Sequence, residues 1–298
     1  MKPETKIKIA INGFGRIGRN LFRLLLNHPT IEVVAINDIA DNKTMAHLVK
    51  YDSIHGVLNQ KVSFTDDSIR IDDKEFLFFH ESTIKNLNWK AVNVDIVIEC
   101  TGKHKTFEDL NQHILAGAKK VILSAPSEVE EIKTVVLGVN ENLLDGSETI
   151  ISNASCTTNN AAPMIKVIHE LCEIEQAYIT TVHSYTTDQS LHDHPHKDLR
   201  RARGAAQSIV PTTTGAAKAL TKIFPELAGK IGGCGIRVPV ADGSLTDITF
   251  NVKRKVTIAE INMAFKKAAA THLNGILDYT EDPIVSVDVI GNTHSCVF

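Results

Sequence analysis

Short apolar runs rich in Val and Ile alternate with helical patterns over the first half of the chain. Residues 7–12 form the first run, a helical pattern extends to about Asn27, and the next run ends at Asp38. Continuous Val/Ile runs are typical of strands covered on both faces, so a mostly parallel sheet is predicted. Further strands are predicted at 94–100, 119–126 and 134–140, a helix at 107–116 and a small antiparallel insertion within 60–80.

The second half has longer alternating strands and fewer helices. Apolar residues recur at nearly helical spacing over 156–172 and predict a helix there, whereas 186–207 is long and polar. This pattern predicts an α+β unit with a mixed, largely antiparallel sheet and helices set to one side. The other predictions are strands at 174–185, 234–240, 244–254 and near 284–289, and helices at 215–223 and 258–271.

Length and composition limit the function classes that need to be considered. A chain of 298 residues exceeds the size at which one core keeps growing, so we expect two domains, 1–151 and 152–298. A net charge of -3 without basic runs gives no reason to expect a nucleic-acid partner, and no apolar run approaches a membrane span. The first residues lack an apolar signal core, and five unpatterned cysteines favour reduced thiols in a cytoplasmic protein.

A glycine pattern in the first half predicts dinucleotide binding. Gly13 permits a tight turn, Gly15 lets the backbone approach a pyrophosphate, and Gly18 allows the helix to pack closely on the strand. Asp38 follows twenty residues later, where an acid bonds the ribose hydroxyls and favours NAD over NADP. A purely structural strand–helix–strand unit is the alternative. The predicted cofactor-binding residues are Asn12, Gly13, Phe14, Gly15, Arg16, Ile17, Gly18, Asp38, Thr101, Gly102 and Ser124.

A cysteine and a histidine in the second half suggest nucleophilic catalysis. Cys156 lies on the first turn of a predicted helix, where free N–H groups and the helix dipole favour a thiolate. His183 follows on an apolar strand and could pair with that thiolate. The alternative is that Cys156 is a small buried hydrophobic residue, as most free cysteines are.

Several groups near these residues suit a phosphorylated substrate. Thr213, Thr214 and Gly215 precede a predicted helix and offer hydroxyl and N–H groups to an oxyanion. Arg237 lies within an apolar strand and needs a buried counter-charge, which a phosphate would provide. Arg200, Arg201 and Arg203 could assist, although a solvated basic face is their simpler interpretation. The histidines of 191–196 are interpreted as a surface loop, with no metal site.

Together these motifs resemble phosphorylating glyceraldehyde-3-phosphate dehydrogenases of the bacterial type along essentially the whole chain. SNASCTTN (152–159) and TTTGAAKA (212–219) are the most specific motifs. The resemblance also rests on INGFGRIGR (11–19), HLVKYDSIHG (47–56), SAPS (124–127), TTVHSYTTDQ (180–189), HKDLRRARGAAQSIV (196–210), RVPV (237–240), GILDYTEDPIVSVD (275–288) and NTHS (292–295).

The resemblance implies a role for each matching residue. Cys156 would be the nucleophile and His183 its base, in the NAD-dependent conversion of glyceraldehyde 3-phosphate and inorganic phosphate to 1,3-bisphosphoglycerate through a thioester. The implied substrate-phosphate residues are Thr186, Asp188, Arg201 and Arg237, and the implied inorganic-phosphate residues are Ser155, Thr157, Thr214 and Gly215. Residues 186–207 resemble the family's S-loop, which implies a homotetramer.

Two departures from the family pattern are visible. Asn160 stands where the family usually has a second cysteine, which is not the nucleophile. The match stops at Phe298, before the family's final turn and helix. If the protein ended there, we would expect an open apolar groove on the first domain and weaker cofactor binding.

Three other functions remain open at this point. Erythrose-4-phosphate dehydrogenase shares the cysteine and histidine, but it does not use phosphate as acyl acceptor, and the TTTG at 212–215 favours phosphate use. An inactive NAD-binding paralogue would not require an intact Cys156 and His183. A cysteine acyl hydrolase would leave the nucleotide fingerprint without a role.

Overall fold

The computed structural model describes residues 6–298 and divides them into two compact units. The first comprises the described residues up to Thr134 together with Leu144–Ala154, and the second comprises Val135–Leu143 and Ser155–Phe298. The prediction about a signal core concerns residues 1–5 in part, and these lie outside the described residues. Within residues 6–298, no helix combines the length and apolar character needed to cross a membrane.

A nine-stranded sheet forms the centre of the first unit, in the order β10-β11-β9-β8-β1-β2-β7-β6-β5. All its pairings are parallel except the two in β5-β6-β7, so the predicted parallel sheet and antiparallel insertion are confirmed. The elements are β1 (Ile7–Asn12), α1 (Arg16–Leu25), β2 (Ile31–Asn37), α2 (Asn42–Lys50), β3 (Tyr51–Asp52), β4 (Gly56–Val57), β5 (Val62–Phe64), β6 (Ser68–Ile71), β7 (Lys74–Phe79), β8 (Ile96–Glu99), α3 (Phe107–Leu115), β9 (Lys120–Leu123), β10 (Lys133–Thr134) and β11 (Ile150–Ser152).

Both faces of this sheet are covered, as continuous apolar strands require. Ile9 and Ile11 of β1 contribute to one buried cluster, while Ala10 between them belongs to the cluster on the opposite face. Phe14 and Phe22 join the first cluster and pack edge to face, with ring centroids 5.4 Å apart. The alternation of side chains along β1 therefore holds helices against both faces.

The strand predicted at 134–140 is wrong, because only Lys133–Thr134 pairs with the sheet. The Asn140 side chain accepts the Val136 N–H at 2.8 Å, and the Val139 N–H bonds back to the Val136 carbonyl. Gly138 then adopts a φ of +79° and turns the chain. The hydrogen bond from the Val136 backbone to the Asn140 side chain thus favours a turn over the strand that the apolar pattern predicted. The strand beside β9 is β11, which was not predicted.

The second unit contains a four-stranded sheet in the order β13-β14-β12-β15. Strands β12 and β14 are parallel and the other two pairings are antiparallel, so the predicted mixed, largely antiparallel sheet is confirmed. Its elements are α4 (Cys156–Cys172), β12 (Ile174–Ser184), β13 (Val210–Thr212), α5 (Ala216–Ile223), β14 (Ile231–Val238), β15 (Leu245–Val252), α6 (Ile258–Ala270), β16 (Leu277–Asp278) and β17 (Cys296–Val297).

The strand predicted near 284–289 is also wrong. Residues 286–289 form a short 3₁₀ helix, in which the Asp288 carboxylate accepts the Val285 N–H at 2.7 Å. Val285 and Val287 are mostly exposed, so their alternation reflects no buried strand face.

The fold predicts opposite effects for two glycines of the first turn. A Cβ on Gly18 would lie 2.1 Å from the Gly13 carbonyl oxygen, whereas a Cβ on Gly15 would meet no atom within 4 Å. We expect Gly18→Ala to lower the free energy of unfolding by about 2 kcal/mol or more, because this backbone clash outweighs the helix propensity of alanine, about 1 kcal/mol.

Gly15→Ala is the matched control and should change the free energy by less than about 1 kcal/mol. Chemical denaturation of the two variants measures both values. Equal stability of Gly18→Ala and the wild type would contradict the close packing of α1 on β1.

Candidate active site

A cleft of about 250 Å³ lies over the carboxyl ends of the parallel strands in the first unit. Five predicted cofactor-binding residues line it, namely Asn12, Gly13, Gly15, Asp38 and Thr101. Gly13 has a φ of +92°, and a Cβ there would lie 2.6 Å from the Thr101 nitrogen. Glycine is therefore required where these two turns meet, and the space beside Gly15 is open to a ligand.

The other predicted cofactor residues have different surroundings. Phe14 is fully buried, and its N–H donates to the Asp38 carboxylate at 2.7 Å. The Arg16 side chain pairs with Asp52, Ile17 is exposed, and the Ser124 hydroxyl donates to the Glu99 carbonyl. These four side chains do not line the cleft. Gly18 packs beneath the turn, and Gly102 has a φ of +70°.

Cys156 is the first residue of α4, and Ser155 caps that helix by accepting the Thr158 N–H at 3.1 Å. The Cys156 Sγ lies 3.2 Å from the His183 Nε2. Burial alone would raise the pKa of the thiol, but the hydrogen bond and charge of His183, with bonds from Thr157, outweigh it and lower that pKa. Although neighbouring atoms surround the thiol, Cys156 keeps solvent-exposed surface, so a thiolate there can reach a substrate.

His183 lies near the end of β12, opposite Arg237 in the parallel pairing with β14. Its Nδ1 is 2.7 Å from the Ser184 carbonyl oxygen and 2.8 Å from Nη1 of Arg237, which also donates to that carbonyl at 2.7 Å. A carbonyl can only accept and a guanidinium can only donate. Nδ1–H and Arg237 Nη1 therefore both donate to the Ser184 carbonyl, and the 2.8 Å approach of Nη1 to Nδ1 is a contact and not a hydrogen bond. An imidazolium could thus donate from Nδ1 to Ser184 and from Nε2 to the Cys156 thiolate.

Two guanidinium groups create a positive site near this pair. Burial and the charge of Arg201 lower the pKa of Arg237, which has no ion pair with a carboxylate among residues 6–298. Arg201 is held by Asp188 at 2.6 Å and by the Thr212 hydroxyl at 2.9 Å. The hydrogen bonds of Arg201 and His196 lower the pKa of Asp188 despite burial. The site therefore retains positive charge for an anion.

Three of the four remaining predicted phosphate residues lie at two helix starts. Thr157 is buried on the first turn of α4, beside Cys156. Thr214 accepts the Ala216 N–H at 3.2 Å, and Gly215 is the N-terminal cap of α5. Thr186 is exposed after β12. Both helix starts offer N–H groups to an anion.

The role of His196 was not predicted from the sequence. Its Nδ1 accepts the Asp198 N–H at 2.9 Å, so Nε2 carries the proton that faces Asp188 at 3.3 Å. His196 was assigned to a surface loop, yet it helps to hold the carboxylate that orients Arg201. Its proximity to the arginines in sequence was the available signal. Among the described residues, no group of three or more His, Cys, Asp or Glu side chains is arranged to hold a metal.

A glycine turn between a strand and a helix in one unit, and a cysteine–histidine contact in the second, are typical of cysteine-dependent dehydrogenases. Family models match both parts: "Glyceraldehyde 3-phosphate dehydrogenase, NAD binding domain" over residues 7–107, and the C-terminal domain of the same family over 155–298. The chain belongs to the glyceraldehyde-3-phosphate dehydrogenase family.

Individual relatives agree with this assignment. The chain is 53% identical over 294 residues to glyceraldehyde-3-phosphate dehydrogenase 2 of Streptomyces avermitilis, covering 98% of this chain and 88% of the relative. It is 52% identical over 290 residues to the Geobacillus stearothermophilus enzyme, covering 97% and 86%. The Borreliella burgdorferi enzyme is 52% identical over 300 residues, covering 98% and 88%.

The lowered pKa predicts selective alkylation of Cys156. Burial raises the pKa of Cys100 to about 11 and of Cys296 to about 12, and it also raises the pKa of Cys172. Because the thiolate is the reactive form and exists above the pKa, Cys156 should react with iodoacetamide at lower pH than a free cysteine. Peptide mapping of the native protein after brief exposure at pH 7 should find the label on Cys156.

A second prediction concerns His183→Asn. Asparagine cannot carry the positive charge of an imidazolium, so the pH midpoint of Cys156 alkylation should rise by about one unit or more. Labelling at pH 7 should then be about tenfold slower. Cys234→Ser is the control and should leave the Cys156 rate unchanged. An unaltered pH profile in His183→Asn would show that the imidazole does not activate the thiol.

Proposed function

We propose that Cys156 and His183 carry out the NAD-dependent oxidation and phosphorylation of glyceraldehyde 3-phosphate to 1,3-bisphosphoglycerate. The observation that carries the proposal is the 3.2 Å contact of Cys156 Sγ with His183 Nε2, with Arg237 on the other side of the imidazole. This arrangement combines a nucleophile, a group that moves a proton, and a cation that can bind a phosphate.

The chemistry begins at the Cys156 sulfur. The thiolate forms a C–S bond with the aldehyde carbon, and the carbonyl oxygen takes the proton of His183 Nε2 to give a hemithioacetal. The Cys156 N–H at the start of α4 can stabilise the oxyanion as it develops. His183 is then neutral and placed to accept the hydroxyl proton in the oxidation step.

In the oxidation step, His183 accepts the hydroxyl proton. A hydride leaves the carbon that carries this hydroxyl, so a thioester remains. NAD, when bound, would supply the hydride acceptor. An oxygen of inorganic phosphate then attacks the thioester carbonyl, the C–S bond breaks, and the thiolate of Cys156 is restored. The acyl phosphate retains energy from the oxidation because the thioester is never hydrolysed.

Two groups of residues would bind the two phosphates. We assign the substrate phosphate to Thr186, Asp188, Arg201 and Arg237, where Asp188 acts by orienting Arg201. We assign inorganic phosphate to Ser155, Thr157, Thr214 and Gly215. The free N–H groups where α4 and α5 begin support the second assignment.

The first unit would hold the cofactor. The open space beside Gly15 suits the approach of a pyrophosphate to the start of α1, and the Asp38 carboxylate lines the same cleft and suits a ribose hydroxyl. We therefore propose residues 1–151 as the cofactor domain, apart from the segment 135–143 that packs with the second unit, and 152–298 as the catalytic domain.

We further propose a cytoplasmic homotetramer. Leu191, Leu199 and Ile209, which lie in or next to the polar segment after β12, are 66%, 82% and 68% exposed, and association of subunits would bury such side chains. All five cysteines are free, in keeping with a reducing compartment.

The activity is tested by mixing the protein with glyceraldehyde 3-phosphate and NAD and following absorbance of NADH. We expect a rate that depends on inorganic phosphate, is abolished in Cys156→Ser, and is unchanged in Cys234→Ser, because only Cys156 contacts the base. A phosphate-independent rate that equals the rate with erythrose 4-phosphate would favour the erythrose-4-phosphate dehydrogenase alternative instead.

The substrate-phosphate site is tested with two arginine variants. Arg201→Gln should raise KM for glyceraldehyde 3-phosphate about tenfold or more, because it removes a charge-assisted hydrogen bond to the substrate. Arg203→Gln is the matched control, since Arg203 is largely exposed and pairs with Asp193. Steady-state kinetics should show little change in the control. Equal KM values for both variants would exclude Arg201 from the site.

A further inference from the structure

A buried carboxylate lies beneath the nucleotide cleft and was not among the predicted site residues. Glu99 is the last residue of β8 and has 0% of its side chain exposed. Burying a carboxylate is costly unless hydrogen bonds compensate for the lost water. The partners of Glu99 therefore indicate why the fold tolerates it.

Glu99 accepts hydrogen bonds from four donors. The Asn12 amide donates at 2.5 Å, the Thr101 N–H at 2.7 Å and His113 Nε2 at 3.1 Å, and the Thr101 hydroxyl is the fourth donor. These bonds use the acceptor positions of both carboxylate oxygens. Although burial alone would raise the pKa of Glu99, the bonds from His113, Thr101 and Asn12 outweigh it and lower that pKa.

The protonation of His113 is fixed from its other side. Trp89 Nε1, which can only donate, bonds to His113 Nδ1 at 3.0 Å. Nδ1 must therefore be an acceptor, and the single ring proton lies on Nε2, facing Glu99. A neutral imidazole thus donates to a charged carboxylate, and both side chains are fully buried.

A chain of hydrogen bonds continues from Glu99 toward the cleft. Because the Asn12 amide nitrogen faces Glu99, its oxygen accepts from the Asn37 amide at 2.8 Å. Asn37 in turn donates to the Glu81 carbonyl at 3.0 Å and accepts the Glu81 N–H at 2.9 Å. Asn12, Asn37, Glu81 and Thr101 all line the cleft.

We propose that Glu99 is a positioning residue for the cofactor, which orients Asn12 and Thr101 at the cleft and, through Asn12, the Asn37–Glu81 wall. The proposal rests on the cofactor site proposed above. Glu99 does not line the cleft itself, so it acts only through the residues that it holds.

Glu99→Gln tests this with almost no change in volume. Glutamine has one acceptor oxygen, and its amide would place N–H groups against donors. We expect the Kd and KM for NAD to rise about tenfold or more, since a hydrogen bond to a charged group is lost at the turn. Turnover at saturating NAD and the alkylation rate of Cys156 without NAD should stay within about twofold, because the second unit is unaltered.

His113 gives an independent pair of variants in case Glu99→Gln folds poorly. His113→Gln keeps a donor for Glu99 and an acceptor for Trp89, whereas His113→Leu removes both. We expect His113→Leu to weaken NAD binding and His113→Gln to restore most of it, as measured by calorimetric titration. Denaturant unfolding of each variant reports on the fold.

Unchanged NAD affinity in Glu99→Gln and His113→Leu would overturn the proposal. Parallel loss of NAD binding, Cys156 alkylation and cooperative unfolding would also overturn it, because that result indicates general destabilisation. Titration of the wild type with NAD tests the cofactor site itself. The ratio of the variant's Kd for NAD to that of the wild type tests the role of Glu99. The two conclusions can therefore fail separately.

Discussion

The contact between the Cys156 sulfur and the His183 imidazole is the interaction on which the second unit is arranged. It requires that α4 begin at the cysteine and that β12 end beside it. Ser155 fixes the first condition by capping the helix. The position of β12 between β14 and β15 fixes the second, because a central strand has little freedom to move. The parallel register then places Arg237 opposite His183.

The positive charges beside Cys156 and His183 are not all paired with carboxylates, which suits the binding of a phosphorylated substrate. Asp188 is bonded to Arg201 and to His196, whereas Arg237 donates to the neutral Ser184 carbonyl and contacts the His183 ring. A substrate phosphate would compensate the charge that the protein leaves unpaired. Binding and catalysis are coupled because the same guanidinium contacts the imidazole.

The sequence predicted structure best where the relevant signal is local, either a backbone property of one residue or a regular spacing of apolar residues. The bounds of the helix over 156–172 and the glycine turn belong to this class, since dipoles, glycine geometry and apolar spacing are local. The failures at 134–140 and 284–289 came from Asn140 and Asp288, whose side chains capture nearby N–H groups. Glu99 was overlooked because its role depends on Asn12 and His113, which are remote from it in sequence. His196 was overlooked although Asp188 is only eight residues away, because sequence spacing within a polar loop does not show which side chains meet.

The segment 135–143 belongs to the second unit, although residues of the first unit both precede and follow it. Lys166 donates to its Gly138 carbonyl, and the side chains of Leu273 and Ile276 crowd the same glycine. The two units are therefore interleaved along the polypeptide, and neither is one continuous segment of the sequence. Recombination at a single genetic crossover could not exchange one unit intact, so the two parts are expected to be inherited together.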